Sequence, residues 1–151
     1  MREKLIKFIA TVGGLGYSRI APGTTGSLAG AAIYLLINKN LISYIIGILL
    51  VLILGFAVCG RAEVIFGKKD AKPIAIDEVA GLLISLFLIP FSYANLIIGF
   101  LLFRTIDIIK PFPIKKIECL PGSLGIMTDD ILAGVYANLL LRFALKFFLP
   151  H

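Results

Sequence analysis

The chain has 151 residues, 59% of them hydrophobic and only 16% charged, with a formal net charge of +6. Soluble domains average about 45–50% apolar and about 25% charged residues, so this length, enough for one domain, comes with too few polar side chains to coat a globule. The composition excludes an ordinary soluble fold, a disordered chain and a disulfide scaffold.

In chain order, Met1-Arg-Glu-Lys-Leu-Ile-Lys resembles the basic start of a signal peptide, but Gly13, Gly14 and Gly16 follow in place of a compact apolar core. We read it as part of the mature protein. A short apolar stretch over 25–37 carries Gly26 and Gly30, four apart, a spacing that lets a neighbouring helix approach closely. Residues 41–60 hold no charge over a length that crosses a bilayer. Residues 79–103 are also uncharged but contain Pro90, which splits them into helices near 79–89 and 94–109. The last stretch, 131–149, carries Arg142 and Lys146 and reads as a tilted or partly interfacial helix. Cys59 and Cys119 are too few for a thiolate zinc site and read as inert thiols. The single histidine is the terminal His151, which removes most histidine-based catalysis.

Charge placement sets the expected topology. If 38–40 and 90–95 are the turns of two helical hairpins, segments 1–24, 61–78 and 104–130 share one side. That side holds Arg2, Lys4, Lys7, Arg19, Arg61, Lys68, Lys69, Lys72, Arg104, Lys110, Lys115 and Lys116, against Lys39 alone in the opposite turns. By the positive-inside rule this side is cytoplasmic. We therefore expect one domain over 1–151: an all-α, small polytopic membrane bundle with four to five membrane-embedded helices. Amphipathic or loop segments cover its cytoplasmic face.

All nine acidic residues fall on that side too, and five gather where apolar helices begin or end: Asp77 and Glu78, Asp107, and Asp129 and Asp130. Helix capping explains part of this, with Asp77 or Thr128 as an N-cap and the neighbouring acids favoured by the helix dipole. Arg104, Asp107 and Lys110 also fit a charge ladder along one helix. Capping does not require paired acids at two helix starts, nor an acid between Ile106 and Ile108. Crowded carboxylates at a membrane boundary persist when a cation compensates them. With no His/Cys set, a hard ion such as Mg²⁺ is the candidate, held by Asp77, Glu78, Asp107, Asp129 and Asp130 with substrate phosphate completing its shell. Pro22-Gly-Thr-Thr-Gly-Ser27 leads into the first apolar helix with free N–H groups and the hydroxyls of Thr24, Thr25 and Ser27. Arg104 and Lys110 add phosphate-binding charge. The combination points to hydrolysis or transfer of a phosphate ester on a lipid headgroup.

Four ordered motifs carry a resemblance: Pro-Gly-Thr-Thr-Gly-Ser (22–27), Ile-Asp-Glu-Val-Ala-Gly (76–81), Phe-Arg-Thr-Ile-Asp-Ile-Ile-Lys-Pro-Phe-Pro (103–113) and Gly-Ile-Met-Thr-Asp-Asp-Ile-Leu-Ala-Gly (125–134). Over about residues 10–140 the chain resembles the phosphatidylglycerophosphatase A family. The resemblance implies a Mg²⁺-dependent phosphatase of the bacterial inner membrane, multi-pass, with its active site facing the cytoplasm. It would remove the terminal phosphate of phosphatidylglycerophosphate to give phosphatidylglycerol, and soluble relatives share an all-helical fold. Asp77, Glu78, Asp107, Asp129 and Asp130 match the family's acidic positions, with Arg104 and Lys110 beside them and Asp70 as a further acid. Two positions depart: Pro73 stands where relatives often carry a polar residue, and Ser123 replaces a glycine. Both bear on loop shape and substrate fit more than on chemistry.

The implied mechanism is in-line attack by water on phosphorus, a phosphoaspartate intermediate being left open; the absence of an Asp-x-Asp signature and of an internal histidine favours water. Partners are then the lipid substrate and anionic membrane lipids, not nucleic acid, with a homo-oligomer left open. The alternatives are a small ion-coupled transporter or channel subunit using the boundary carboxylates, and a headgroup-binding protein without turnover.

Overall fold

A computed structural model describes residues 2–19 and 21–148. Among them the chain is all-helical: α1 Arg2–Ala10, a single 3-10 turn Leu15–Tyr17, α2 Pro22–Ile37, α3 Leu41–Phe66, α4 Ile76–Ser85, α5 Tyr93–Ile109, the one-turn α6 Ile114–Ile117 and α7 Gly122–Phe148. The expected hairpin turns are where α2 meets α3 and α4 meets α5. Asn40 caps α3 by accepting from the backbone N–H groups of Ile42 (2.8 Å) and Ser43 (3.4 Å), and Ser92 caps α5 by accepting from Asn95 (3.0 Å). Such caps satisfy N–H groups that a helix start leaves without partners.

The short α4 is the axis of the bundle. Eight of its ten residues are buried, including Val79, Ala80, Leu82 and Leu83. A helix apolar on every face has to be enclosed, and α2, α3, α5 and α7 enclose it. The glycine pairs explain how closely. Side-chain and backbone atoms of Ala75, Glu78, Val79 and Leu82 press on Gly26 and Gly30 of α2, as the four-residue spacing predicts. Gly81 and Gly134 bring α4 and α7 together so tightly that a Cβ on Gly134 would collide with the Gly81 carbonyl oxygen. These contacts run in register from the Asp77 and Asp129 end upward, so α2, α4 and α7 point the same way.

Three helix limits differ from the sequence expectation. The final helix starts at Gly122, nine residues before 131, because Gly122 (φ 58°) ends the preceding loop and nothing from Ser123 onward interrupts the helix. The run expected over 41–60 continues to Phe66, carrying Arg61 and Glu63, and closes at the left-handed Gly67. The helix expected over 79–89 stops at Ser85. Its end explains Arg142: Asn138 Nδ2 donates to the carbonyls of Ile84, Ser85 and Phe87, and Arg142 donates to Phe87 O (2.9 Å) and Asn138 Oδ1 (2.7 Å). Arg142, itself exposed, thus closes the turn that follows α4, where a cation complements the helix dipole. Leu149 and His151 lie outside the described residues.

Two helices, α3 and α7, are long and apolar enough to cross a membrane. At 1.5 Å per residue α3 is roughly 39 Å long. Only 17% of its most apolar window is buried, unlike the core helix of a soluble protein, and Ile42, Ile46, Leu50 and Ile53 lie exposed along it. Exposed apolar surface this continuous marks a membrane protein. Cys59 is buried and Cys119 exposed, and they do not pair.

Candidate active site

Acids from three helices meet at one end of the bundle. Asp77 and Glu78 stand in the first turn of α4, Asp107 in the last turn of α5, and Asp129 and Asp130 two turns into α7. Capping does not account for them. The N-cap of α4 is Ala75, without a side-chain cap bond, and Thr128 is interior to α7. Asp77, Asp129 and Asp130 are buried, each 4–6% exposed.

Two basic side chains tie the acids together. Arg104 Nη1 donates to Glu78 Oε2 (2.6 Å) and to Asp107 Oδ2 (2.8 Å). Lys110, in left-handed backbone just past α5, donates to Asp129 Oδ2 (2.6 Å) and pairs with Glu118 Oε1 (3.3 Å). The expected ladder along α5 is therefore mostly a set of links to other elements. The second oxygen of Asp129, Oδ1, is buried with no hydrogen-bond partner among the described residues. Among the described residues Asp77 accepts only a local bond, from the Glu78 N–H to Oδ1 (3.0 Å). Asp70 is exposed, its N–H donating to Glu63 Oε1 (3.3 Å).

The electrostatics follow from this crowding. Burial, then the charge of Glu78, pushes Asp77 well above the usual carboxylate range. For Glu78, burial raises the pKa, Arg104 lowers it, Asp107 raises it and the Ser27 hydrogen bond lowers it; the balance stands at about 7. Burial works against the charge of Lys110, but the Asp129 hydrogen bond and the charges of Asp129, Glu118 and Asp107 outweigh it, and its pKa is raised.

The start of α2 faces this cluster across a cavity of about 500 Å³ lined by Gly23, Thr24, Glu78 and Arg104, among others. Ala21 provides no side-chain cap, so the first N–H groups of α2 stay open. A Cβ on Gly23 would collide with Glu78 Oε1 and approach Arg104 Nη2 (2.8 Å). Thr24 lines the cavity. The other two hydroxyls are engaged: Thr25 donates to Pro22 O (2.7 Å) and Leu15 O (3.1 Å), and the buried Ser27 to Gly23 O (3.0 Å) and Glu78 Oε2 (3.0 Å). Ser27 thus orients Glu78, and Thr25 ties α2 to the preceding turn. Of the two departures, Pro73 lines the cavity, while Ser123 accepts a hydrogen bond from the Gly60 N–H (2.6 Å) away from it. Arg19 and Lys72 also line the cavity; in the sequence they registered only as topogenic charges, although Arg19 stands three residues before Pro22-Gly23-Thr24.

The donors suit a hard divalent cation: five carboxylates face two paired basic residues, and one buried oxygen has no partner. Among the described residues no three acidic, histidine or cysteine side chains converge closely enough to hold a metal ion by themselves. Mg²⁺ needs fewer, since one or two carboxylates with water and substrate phosphate complete its shell.

The fold and site define an all-helical bundle with apolar outer faces, acids gathered at one end and an uncapped helix start beside them. The chain belongs to the phosphatidylglycerophosphatase A family, whose profile matches residues 8–145. Membership makes it an enzyme, a phosphatase. A phosphatidylglycerophosphatase A of Haemophilus influenzae is 37% identical over 148 residues, covering 95% of this chain and 90% of that one. That of Escherichia coli is 35% identical over 133 residues, 86% of this chain and 77% of its own. A Bacteroides thetaiotaomicron protein named as a candidate phosphatidylinositol-3-phosphatase is 35% identical over 145 residues, 90% of this chain and 91% of its own. No solved structure gives a significant match.

Proposed function

We propose that the protein hydrolyses the terminal phosphomonoester of phosphatidylglycerophosphate, yielding phosphatidylglycerol and inorganic phosphate, at the cytoplasmic face of a bacterial inner membrane. The observation that carries this reading is the Gly23 cradle. The open start of α2, Arg104 and Glu78 line one cavity, and only a residue without a side chain lets the last two pack this close to the helix start. The names of two relatives supply the substrate. Phosphate-ester hydrolysis is slow uncatalysed, and charge neutralisation with positioning is what such a site provides.

In this reading the phosphomonoester sits against the α2 N–H groups and Thr24, with Arg104 on its equatorial oxygens. Lys110 holds Asp129 in place and offsets the acidic cluster. Glu78 Oε2 is held by Ser27 and Arg104, which leaves Oε1, on the Gly23 side, to take a proton from the attacking water. A pKa near 7 suits a general base at neutral pH. Water oxygen bonds to phosphorus in line, the bond from phosphorus to the glycerol oxygen breaks, that oxygen takes up a proton from solvent water, and Glu78 returns its proton to solvent. Asp129, through its unpartnered Oδ1, with one of its neighbours Asp77 or Asp130, would hold Mg²⁺, which when bound would neutralise phosphate charge. Asp107 keeps Arg104 aligned. The finer membrane picture, four to five embedded helices with the acids inside, rests on the distribution of basic residues.

An ion-coupled transporter is not favoured: its acids belong near mid-span, whereas these lie at one end of the helices, and the family is named for a phosphatase. The test is purified protein in mixed micelles with phosphatidylglycerophosphate, with and without Mg²⁺. Phosphate release that EDTA stops, and that Asp129→Asn or Asp130→Asn abolishes without loss of membrane insertion, is the expected result. Wild-type rates in the double variant would refute the assignment.

A further inference from the structure

The cavity beside Gly23 has two basic side chains that the hydrolysis does not use. Arg19, from the loop before α2, and Lys72, from the loop before α4, line it together with Tyr17 and Pro73. Neither has an ion-pair or hydrogen-bond partner among the described residues, whereas Arg104 and Lys110 are each held by two carboxylates. The backbone, not a counter-ion, brings the two loops together. Gly16 packs directly on the carbonyl of Pro73, the Ala75 N–H donates to Ala10 O (2.9 Å), and Thr25 Oγ1 donates to Leu15 O (3.1 Å). Two like charges on fixed, adjoining loops repel, and an anion between them removes that cost.

We infer that Arg19 and Lys72 form a second anion subsite, which binds the phosphodiester linking the headgroup glycerol to the diacylglycerol. This rests on the proposed reaction, whose substrate carries two phosphates separated by one glycerol. The monoester takes the Gly23–Arg104 cradle and the diester takes the Arg19–Lys72 wall of the same cavity. The subsite therefore sets substrate specificity: it selects lipids with a phosphate on each side of the headgroup polyol over those with a single phosphomonoester.

The experiment compares full-length wild type, R19Q/K72Q and the charge control K115Q/K116Q in mixed micelles. On phosphatidylglycerophosphate, R19Q/K72Q should raise KM at least about tenfold with kcat within roughly twofold, the signature of lost ground-state binding. The control should not. An unchanged KM, or an equal rise in the control, overturns the subsite. A binding arm needs no turnover: phosphatidylglycerol micelles present the diester alone. R19Q/K72Q should bind them about tenfold more weakly than wild type while its affinity for inorganic phosphate is unchanged. Equal weakening toward both identifies a general phosphate pocket, and no weakening toward the micelles removes the subsite; either result overturns the proposal. If wild type releases no phosphate from phosphatidylglycerophosphate, the proposed reaction fails, and the binding arm still decides the subsite.

Discussion

Arg104 Nη1 lies 2.6 Å from Glu78 and 2.8 Å from Asp107 while its side chain also lines the phosphate cavity. A lysine there would keep the charge but lose the guanidinium plane, whose Nη1 holds both carboxylates while Nη2 stays on the Gly23 side. Arg104→Lys is expected to lower kcat/KM by about 100-fold, the scale of removing one donor from a preorganised oxyanion site. A steady-state assay on folded, detergent-solubilised protein checks this. Gly23→Ala makes the complementary case: its new methyl would enter the space between Glu78 Oε1 and Arg104. Phosphate release should fall at least as far, because the methyl displaces the Glu78 carboxylate and the Arg104 guanidinium that pair beside it. Activity near wild type in Gly23→Ala would remove the cradle from the mechanism. The acids and the Pro-Gly-Thr motif were legible in the sequence as residue types in the right order. Which hydroxyls were already engaged was not, because Thr25 and Ser27 differ in their partners and not in their chemistry.

At the scale of the helix, the contact between α4 and α7 positions the acids. Gly81 and Gly134 let the two backbones touch just above Asp77 and Asp130. Gly134→Ala places a methyl against the Gly81 carbonyl, where neither backbone can yield, so its small gain in helix propensity is outweighed. We expect a loss of about 1–3 kcal/mol, read by thermal unfolding in detergent. Gly47→Ala is the contrast: there the new Cβ meets only the tip of the Ile37 side chain (2.6 Å), which can rotate away, and stability should change little. A loss in Gly47→Ala as large as in Gly134→Ala would mean that contact with unyielding backbone is not what sets the cost at Gly134. Proline and charge revealed the break near residue 90. The early start of α7 did not show, because Gly122, Ser123 and Gly125 read as a loop until Leu120 and Gly60 are seen packed around them.

For the whole molecule, the acidic end is expected to make folding depend on pH and, with the proposed Mg²⁺ site, on cations. Glu78 has an ordinary pKa of 4.5 and a folded value of about 7, so the folded chain binds the proton more tightly than the unfolded one. Its contribution is fully present below pH 4.5 and is lost as pH rises through about 7, and Asp77 shifts in the same direction. In EDTA the melting temperature should therefore fall between pH 5 and pH 8. Millimolar Mg²⁺ should restore it at pH 8, since a ligand of the folded ionised state stabilises that state. A flat profile, or no response to Mg²⁺ at pH 8, would count against an acidic cation site.

The sequence by itself determined the material of the protein: the helical class, the apolar lengths, the hairpin turns at Asn40 and Pro90, the one-sided charge and the four ordered motifs. These are local quantities, set by hydropathy, period and turn chemistry along short windows. Only the tertiary structure decided which charges neutralise one another. Arg104 reaches across 26 residues to Glu78, Lys110 across 19 to Asp129, and Arg142 across 55 to the carbonyl of Phe87. It also left Arg19 and Lys72 without partners among the described residues on one cavity wall. Such pairings depend on distances between helices, which follow from how closely glycine-lined backbones pack and not from the order of residues along any one of them.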